Sequence, residues 1–151
     1  MYNETVLRHY REPRNVGEIE DADGVGIYMS DFCGDITKFW IKIVDGKIID
    51  AKYRTQGCAA SIACGSVLTE LVRNMAIEQA LQITKDDIVS ALKGLPEQKI
   101  HCSVLADDSL KDAIRDYLSR NKLPVPEELN EKHERIRPLI EEMRQRGYIL
   151  V

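Results

Sequence analysis

Four cysteines, Cys33, Cys58, Cys64 and Cys102, carry most of the chemical information in this 151-residue chain. In a reducing cytoplasm thiols stay free, bind metal or act as nucleophiles. The chain has no Cys-x-x-Cys, which argues against a thioredoxin-like redox site and a zinc ribbon. Cys33 lies in Phe32-Cys33-Gly34-Asp35, Cys58 follows Gly57, and Cys102 follows His101. All three fall where one expected element gives way to the next, and side chains from distant segments can meet at such places. A helix N-terminus is expected to lower a thiol pKa there.

Asp35 and His101 each offer a fourth donor beside three sulfurs. Thiolates select zinc, copper(I) or iron–sulfur clusters, and a hard oxygen in place of a fourth sulfur is expected to ease release. Each residue also has an ordinary reading. Cys packs as a small hydrophobe, Asp after Gly is a turn residue, and a His before a helix is a cap. Cys64, beside Ile62 and Ala63 and inside an expected helix, reads as structural packing. Lys38 reads as a solvated sheet-face residue, with Asp35 as its alternative partner. A hydrolase built on Cys102 and His101 is disfavoured. Neighbours on a helix diverge by roughly 100°, and no third group is apparent to orient the imidazole.

The elements that must position these residues follow from periodicity. Residues 3–11 read as a helix presenting Val6, Leu7 and Tyr10, ended by Pro13. Val25, Ile27 and Met29 alternate with Gly26 and Tyr28. Thr37, Phe39, Ile41 and Ile43 alternate with Lys38, Trp40 and Lys42. Asp45-Gly46 is a hairpin turn, because both positions want positive φ. The third strand, 47–55, is expected to place Ile49, Ala51, Tyr53 and Thr55 on one face. Together these make an antiparallel meander, since the turns are too short for parallel crossovers.

From Ala59 the period becomes helical, to about Asn74. A short piece follows at 77–81. Thr84 is the expected N-cap of a helix at 86–92, with acids in its first turn. A long helix is expected over 103–119. Beyond Pro124 and Pro126 a charged helix, 127–146, carries Ile136, Leu139, Ile140 and Met143 as a stripe. Pro138 is expected to kink or split it. The fold class is therefore α+β, a three-stranded antiparallel sheet packed against helices with an extra C-terminal helix. The division is a domain at 1–120 and an extension at 121–151.

Composition narrows the functional classes. Apolar residues make up 44%, enough for a core. No apolar run approaches the ~20 residues that span a bilayer. Lys and Arg number 21 against 25 Asp and Glu, a net charge of -4, which argues against a nucleic-acid binder. The N-terminal residues lack the features of a signal peptide, so a cytoplasmic protein is expected.

Five motifs, in order, then resemble a known family. They are Tyr10-x-x-Pro13-Arg14-Asn15-Val16-Gly17, Cys33-Gly34-Asp35, Gly57-Cys58-x-x-x-Ile62-Ala63, Ser66 to Glu70, and Lys99-Ile100-His101-Cys102-Ser103-x-Leu105-Ala106. Together they resemble the IscU-type iron–sulfur cluster assembly scaffolds, whose domain NifU proteins carry at the N-terminus. The resemblance runs from about residue 2 to 120. It implies cluster ligands at Cys33, Cys58 and Cys102, with Asp35 or His101 as the fourth. It implies a scaffold or carrier rather than an enzyme, holding a transient [2Fe–2S] cluster of iron and sulfide. Sulfur would come from a cysteine desulfurase as a persulfide on Cys102, and electrons from a donor such as ferredoxin. Apo iron–sulfur proteins would receive the product, and zinc would bind the cluster-free form.

The departures from the family pattern also matter. Leu95-Pro96-Glu97-Gln98-Lys99 keeps half of the family's Leu-Pro-Pro-Val-Lys segment, so the resemblance is weakest for an Hsp70 chaperone as partner. Cys64 replaces a small residue. The tail after Asn121 is longer than usual, and its apolar stripe would pack on the domain or build a homodimer. Two other readings use the same residues. One is a zinc-dependent SufU-type sulfur acceptor, disfavoured by His101 and by the lack of an insertion between Cys58 and Cys102. The other is a zinc-stabilised interaction module.

Overall fold

The computed structural model describes residues 1–148 and 150; Ile149 and Val151, at the end of the extension, lie outside the described residues. Asn3 caps α1 (Glu4–Arg11) by accepting a hydrogen bond from the Val6 N–H. Three strands follow, β1 (Gly24–Met29), β2 (Ile36–Val44) and β3 (Lys47–Gln56). They form an antiparallel sheet in the order β1-β2-β3. Then come α2 (Ala59–Val72), α3 (Ile77–Ala80) and α4 (Lys85–Ala91). A 3-10 turn (Glu97–Lys99) leads into α5 (Ile100–Arg120), and α6 (Glu127–Gln145) is the last helix among the described residues. The α+β class with a three-stranded antiparallel sheet is thus the observed one.

One sheet face forms the core, where Thr37, Phe39 and Ile41 of β2 lie between Tyr28, Gly26 and Gly24 of β1 and Thr55, Tyr53 and Ala51 of β3. Helix α5 packs on β1 and β2, and α2 packs on β3. Side-chain-free positions permit this. A Cβ on Gly26 would come within 2.1 Å of the Ala113 backbone N, so only glycine lets α5 approach β1 this closely. Both sheet edges are covered. Asp112 and Asp116 of α5 accept the Ile27 and Val25 amides of β1. The loop at Asn15–Gly17 hydrogen-bonds to Tyr53 of β3.

The structure corrects several expectations. Val6 is buried as expected, but Tyr10 is exposed and Thr5 is buried beside Val6. In β3 the inward residue is Ile48, while Ile49 is exposed. The cause is a register shift, since Lys42 pairs with Asp50 and Ile43 with Ile48, leaving Ile49 as the extra residue of a bulge. Trp40 is buried on the sheet's second face, with Lys38 Nζ 5.3 Å from its ring centroid, so Lys38 is not simply solvated. Helix α5 begins at Ile100, earlier than expected, which puts Cys102 in its first turn.

Pro138 does not split α6. Pro138 and Glu134 are both exposed, so water can satisfy the carbonyl that lacks an N–H partner. The tail's stripe packs on the domain. Ile136 and Ile140 join Tyr28 and Leu105 in a small second core, while Lys132 and His133 pair with Asp108 and Asp112. Among the described residues no helix is long and apolar enough to cross a membrane.

Candidate metal centre

The β1–β2 loop closes on itself. The Ser30 and Gly34 amides donate to Asp35 O and Ser30 O, and Gly34 takes φ +73°. This presents Cys33 at the surface with the Phe32 ring, 84% exposed, beside it. Asp35 ends the loop one residue before β2. Because Ile36 pairs with Gln56, Asp35 faces the turn that leads from β3 into α2. Its Oδ2 accepts from the Cys58 backbone N–H at 3.2 Å and from Ser61 Oγ at 2.8 Å. Cys58 is the N-cap of α2, and the Asp35 carboxylate ties its backbone N–H and the Ser61 hydroxyl together at the positive end of the helix. Gly57 is required for this approach, because a Cβ there would lie 2.6 Å from Asp35 Oδ2. Lys38 is not a partner of Asp35.

From the other side, the first turn of α5 brings in His101 and Cys102. Cys102 Sγ lies 3.7 Å from Cys58 Sγ and 3.7 Å from His101 Nε2. His101 Nε2 in turn lies 3.5 Å from Cys33 Sγ, and its ring centroid is 5.3 Å from that of Phe32. Adjacent positions on the helix therefore do not keep His101 and Cys102 apart, because the imidazole folds back over the thiol. A ligand atom each from Asp35, Cys58 and Cys102 lie within 4.8 Å of one another, the spacing of donors that can share one ion. All five sequence-expected residues meet at one end of the sheet. Cys64 does not join them; it is fully buried, as expected for packing.

The thiols are not equivalent. The hydrogen bond with Cys102, aided by N–H groups of Ser61 and Ala60 at the start of α2, holds the Cys58 thiol down to about 5. The same hydrogen bond and then burial push the Cys102 thiol up. Within the pair the negative charge is therefore favoured on Cys58. The expected lowering by a helix N-terminus applies to Cys58 and is reversed at Cys102, which is only 1% exposed. Burial also raises Cys64. Lys99, just before α5, is raised chiefly by the charge of Cys58, so an ammonium faces the thiols. Ser61 went unread in the sequence. Its position three residues past Cys58 is the N3 spacing of a capping box, and that was the available signal.

Thiols, a carboxylate and an imidazole drawn from three chain segments meet on the rim of an α+β sheet, a donor set of the kind that suits a soft metal. The NifU-like N terminal domain family model matches residues 1–124, and the chain belongs to that family. It is 51% identical over 121 residues to the iron-sulfur cluster assembly scaffold protein IscU 1 of Archaeoglobus fulgidus, covering 80% of this chain and 79% of the relative. It is 43% identical over 125 residues to the scaffold protein IscU of Escherichia coli K12, covering 80% of this chain and 97% of the relative. Among solved structures, the N-terminal NifU-like protein of Brucella abortus shares the fold, with a TM-score of 0.67 and 19% identity, over 78% of this chain and 94% of that one.

Proposed function

We propose that this chain is a scaffold on which an iron–sulfur cluster of the [2Fe–2S] type is assembled and then handed to apo-proteins. The observation that carries the reading is the convergence of Cys33, Cys58 and Cys102 with Asp35 and His101, in a chain whose relatives are named for that role. Residues 1–120 carry the site, and 121–151 form the extension, whose helix α6 packs on the domain through Ile136 and Ile140. The protein is a carrier and sulfur acceptor in the reducing cytoplasm rather than a turnover enzyme.

Sulfur arrives from a cysteine desulfurase as a persulfide on Cys102. Because Cys102 is buried and Cys33 exposed, the donor enters from the side of the β1–β2 loop. Iron binds among Cys33, Asp35, Cys58, His101 and Cys102, and a donor such as ferredoxin supplies electrons. Release follows from a site at loop ends whose fourth donor is oxygen or nitrogen. The compact trio Asp35, Cys58 and Cys102 also suits a single zinc ion in the cluster-free protein.

The test mixes the anaerobic protein with ferrous iron, cysteine and a cysteine desulfurase, then adds an apo-ferredoxin. Visible absorption of a [2Fe–2S] cluster that moves to the ferredoxin is expected. Persistent zinc without cluster absorption would overturn the reading in favour of a zinc-dependent sulfur acceptor.

A further inference from the structure

We propose that Cys58 and Cys102 work as a dithiol that expels sulfide from the persulfide, by closing a disulfide between them. This rests on Cys102 as the persulfide acceptor and adds a chemical role for Cys58 beyond ligation.

The geometry singles out this pair. Their sulfurs stand in contact at 3.7 Å. Cys33 Sγ reaches the imidazole of His101 at 3.5 Å. Cys64 is fully buried against the core. Closing to a bond of about 2.05 Å needs a shift of under two ångströms, within reach of a side-chain rotation at an N-cap residue. Cys58 is such a residue, with extended backbone, and its sulfur's contact with Ser61 Oγ is a loose 3.7 Å.

The step balances without an outside reductant. The Cys58 thiolate attacks Cys102 Sγ, the inner sulfur of the Cys102 persulfide. The Cys58–Cys102 bond forms, the bond to the outer sulfur breaks, and the outer sulfur leaves as hydrosulfide. That sulfur gains two electrons, and the two cysteine sulfurs lose them. Attack on the outer sulfur would only move the persulfide to Cys58 and back. Attack on the inner sulfur frees sulfide where Cys33, Asp35 and His101 offer iron its remaining donors. A small dithiol then reduces the Cys58–Cys102 disulfide by exchange, becoming a cyclic disulfide itself and returning both ligands. Electrons thus reach sulfur through the protein's own thiols, whether a dithiol or two one-electron transfers from a ferredoxin-type donor reduce the disulfide.

The test uses the full-length, metal-free protein under argon. It is loaded with inorganic tetrasulfide, desalted, and followed by intact mass, peptide mapping and sulfide trapping with a bimane reagent. The wild type is expected to lose the added sulfur, become lighter than the reduced protein by two hydrogens, and yield a Cys58–Cys102 linked peptide with matching sulfide. Cys58→Ser, which puts a hydroxyl of similar size at the N-cap, is expected to hold the persulfide on Cys102 at least about tenfold longer. Cys58→Ala should behave as Cys58→Ser, and Cys64→Ala as the wild type. Equal persulfide lifetimes in the wild type and Cys58→Ser, with the sulfur mapped to Cys102, would overturn the dithiol step alone. Sulfur found on Cys33 and never on Cys102 would overturn the acceptor reading and the step with it.

Discussion

Replacing Asp35 with alanine should separate two roles that meet in one carboxylate. In the metal-free protein Asp35 Oδ2 accepts from the Cys58 N–H and from Ser61 Oγ, at the start of α2. A negative charge at a helix N-terminus contributes about 0.3–1 kcal/mol. A hydrogen bond to a charged acceptor contributes about 1.5–3 kcal/mol. Asp35 is half-exposed, so water replaces part of both, and a net loss of about 1–2 kcal/mol is the reasoned figure. At an m-value near 2 kcal/mol/M, the urea midpoint should fall by roughly 0.5–1 M. The melting temperature should drop by about 2–8 °C. Asp35→Asn keeps an acceptor and should lose less. The loaded protein should respond the other way, with Asp35→Ala releasing its cluster more slowly than the wild type, read as decay of visible absorption against a chelator. An unchanged urea midpoint would refute the stabilising role of Asp35 at the start of α2. Equal cluster decay would remove the labilising role of Asp35.

Other substitutions test the packing that holds the site. Gly26→Ala drives a methyl group into the α5 backbone at Ala113 and Ser109, and overpacking of this kind should cost about 1–3 kcal/mol in urea unfolding; an unshifted midpoint would mean that α5 does not pack so closely. His9 bonds to Ser66 Oγ at 2.7 Å, and burial lowers its pKa against the opposing pull of Glu70. The unfolded chain therefore binds more protons than the native one below about pH 6.5, so stability is full above that pH and falls on acidification. His9→Gln should flatten this dependence between pH 7 and pH 5, and an identical slope would exclude His9. Ending the chain after Asn121 uncovers Tyr28 and Leu105, and should cost about 2–4 kcal/mol while residues 1–120 stay folded by circular dichroism. Coincident melts of the two chains would show that α6 adds nothing.

Local signals in the sequence located most of the elements. Asp45 and Gly46 adopt φ of 52° and 74°, as their pairing demands, and Thr84 caps α4 with Asp87 returning the bond. What stayed hidden depends on neighbours distant in sequence. The inward face of β3 switches at Ile48 because of a bulge that only the pairing with β2 defines. The buried face of β1 is its glycine face, legible only once a helix is known to lie on it. Proline's effect on α6 depended on Glu134 facing water, which the pattern of charges does not settle.

The site shows the same division. The residue types and their junction positions were readable, while the unequal thiols and the hydrogen bonds of Asp35 to Cys58 and Ser61 were not, since both arise from contacts between segments. Yet the convergence itself follows from the core. Thr37, Phe39 and Ile41 must face inward, and that fixes β2 against β3 in the register that pairs Ile36 with Gln56. Asp35 then has to stand beside Gly57 and Cys58. Likewise Gly24 and Gly26 dock on Ala113, and a helix rising about 1.5 Å per residue from there reaches Cys102 roughly 16 Å away. The strand from Gly24 to the loop at Ser30 covers about 20 Å at 3.3 Å per residue, ending at the same rim. A slip of one residue in the β2–β3 pairing would turn the buried face outward and carry Asp35 away from Cys58. The apolar core therefore sets the metal centre, and changes to Phe39, Ile41 or Gly26 should disturb metal retention as well as stability.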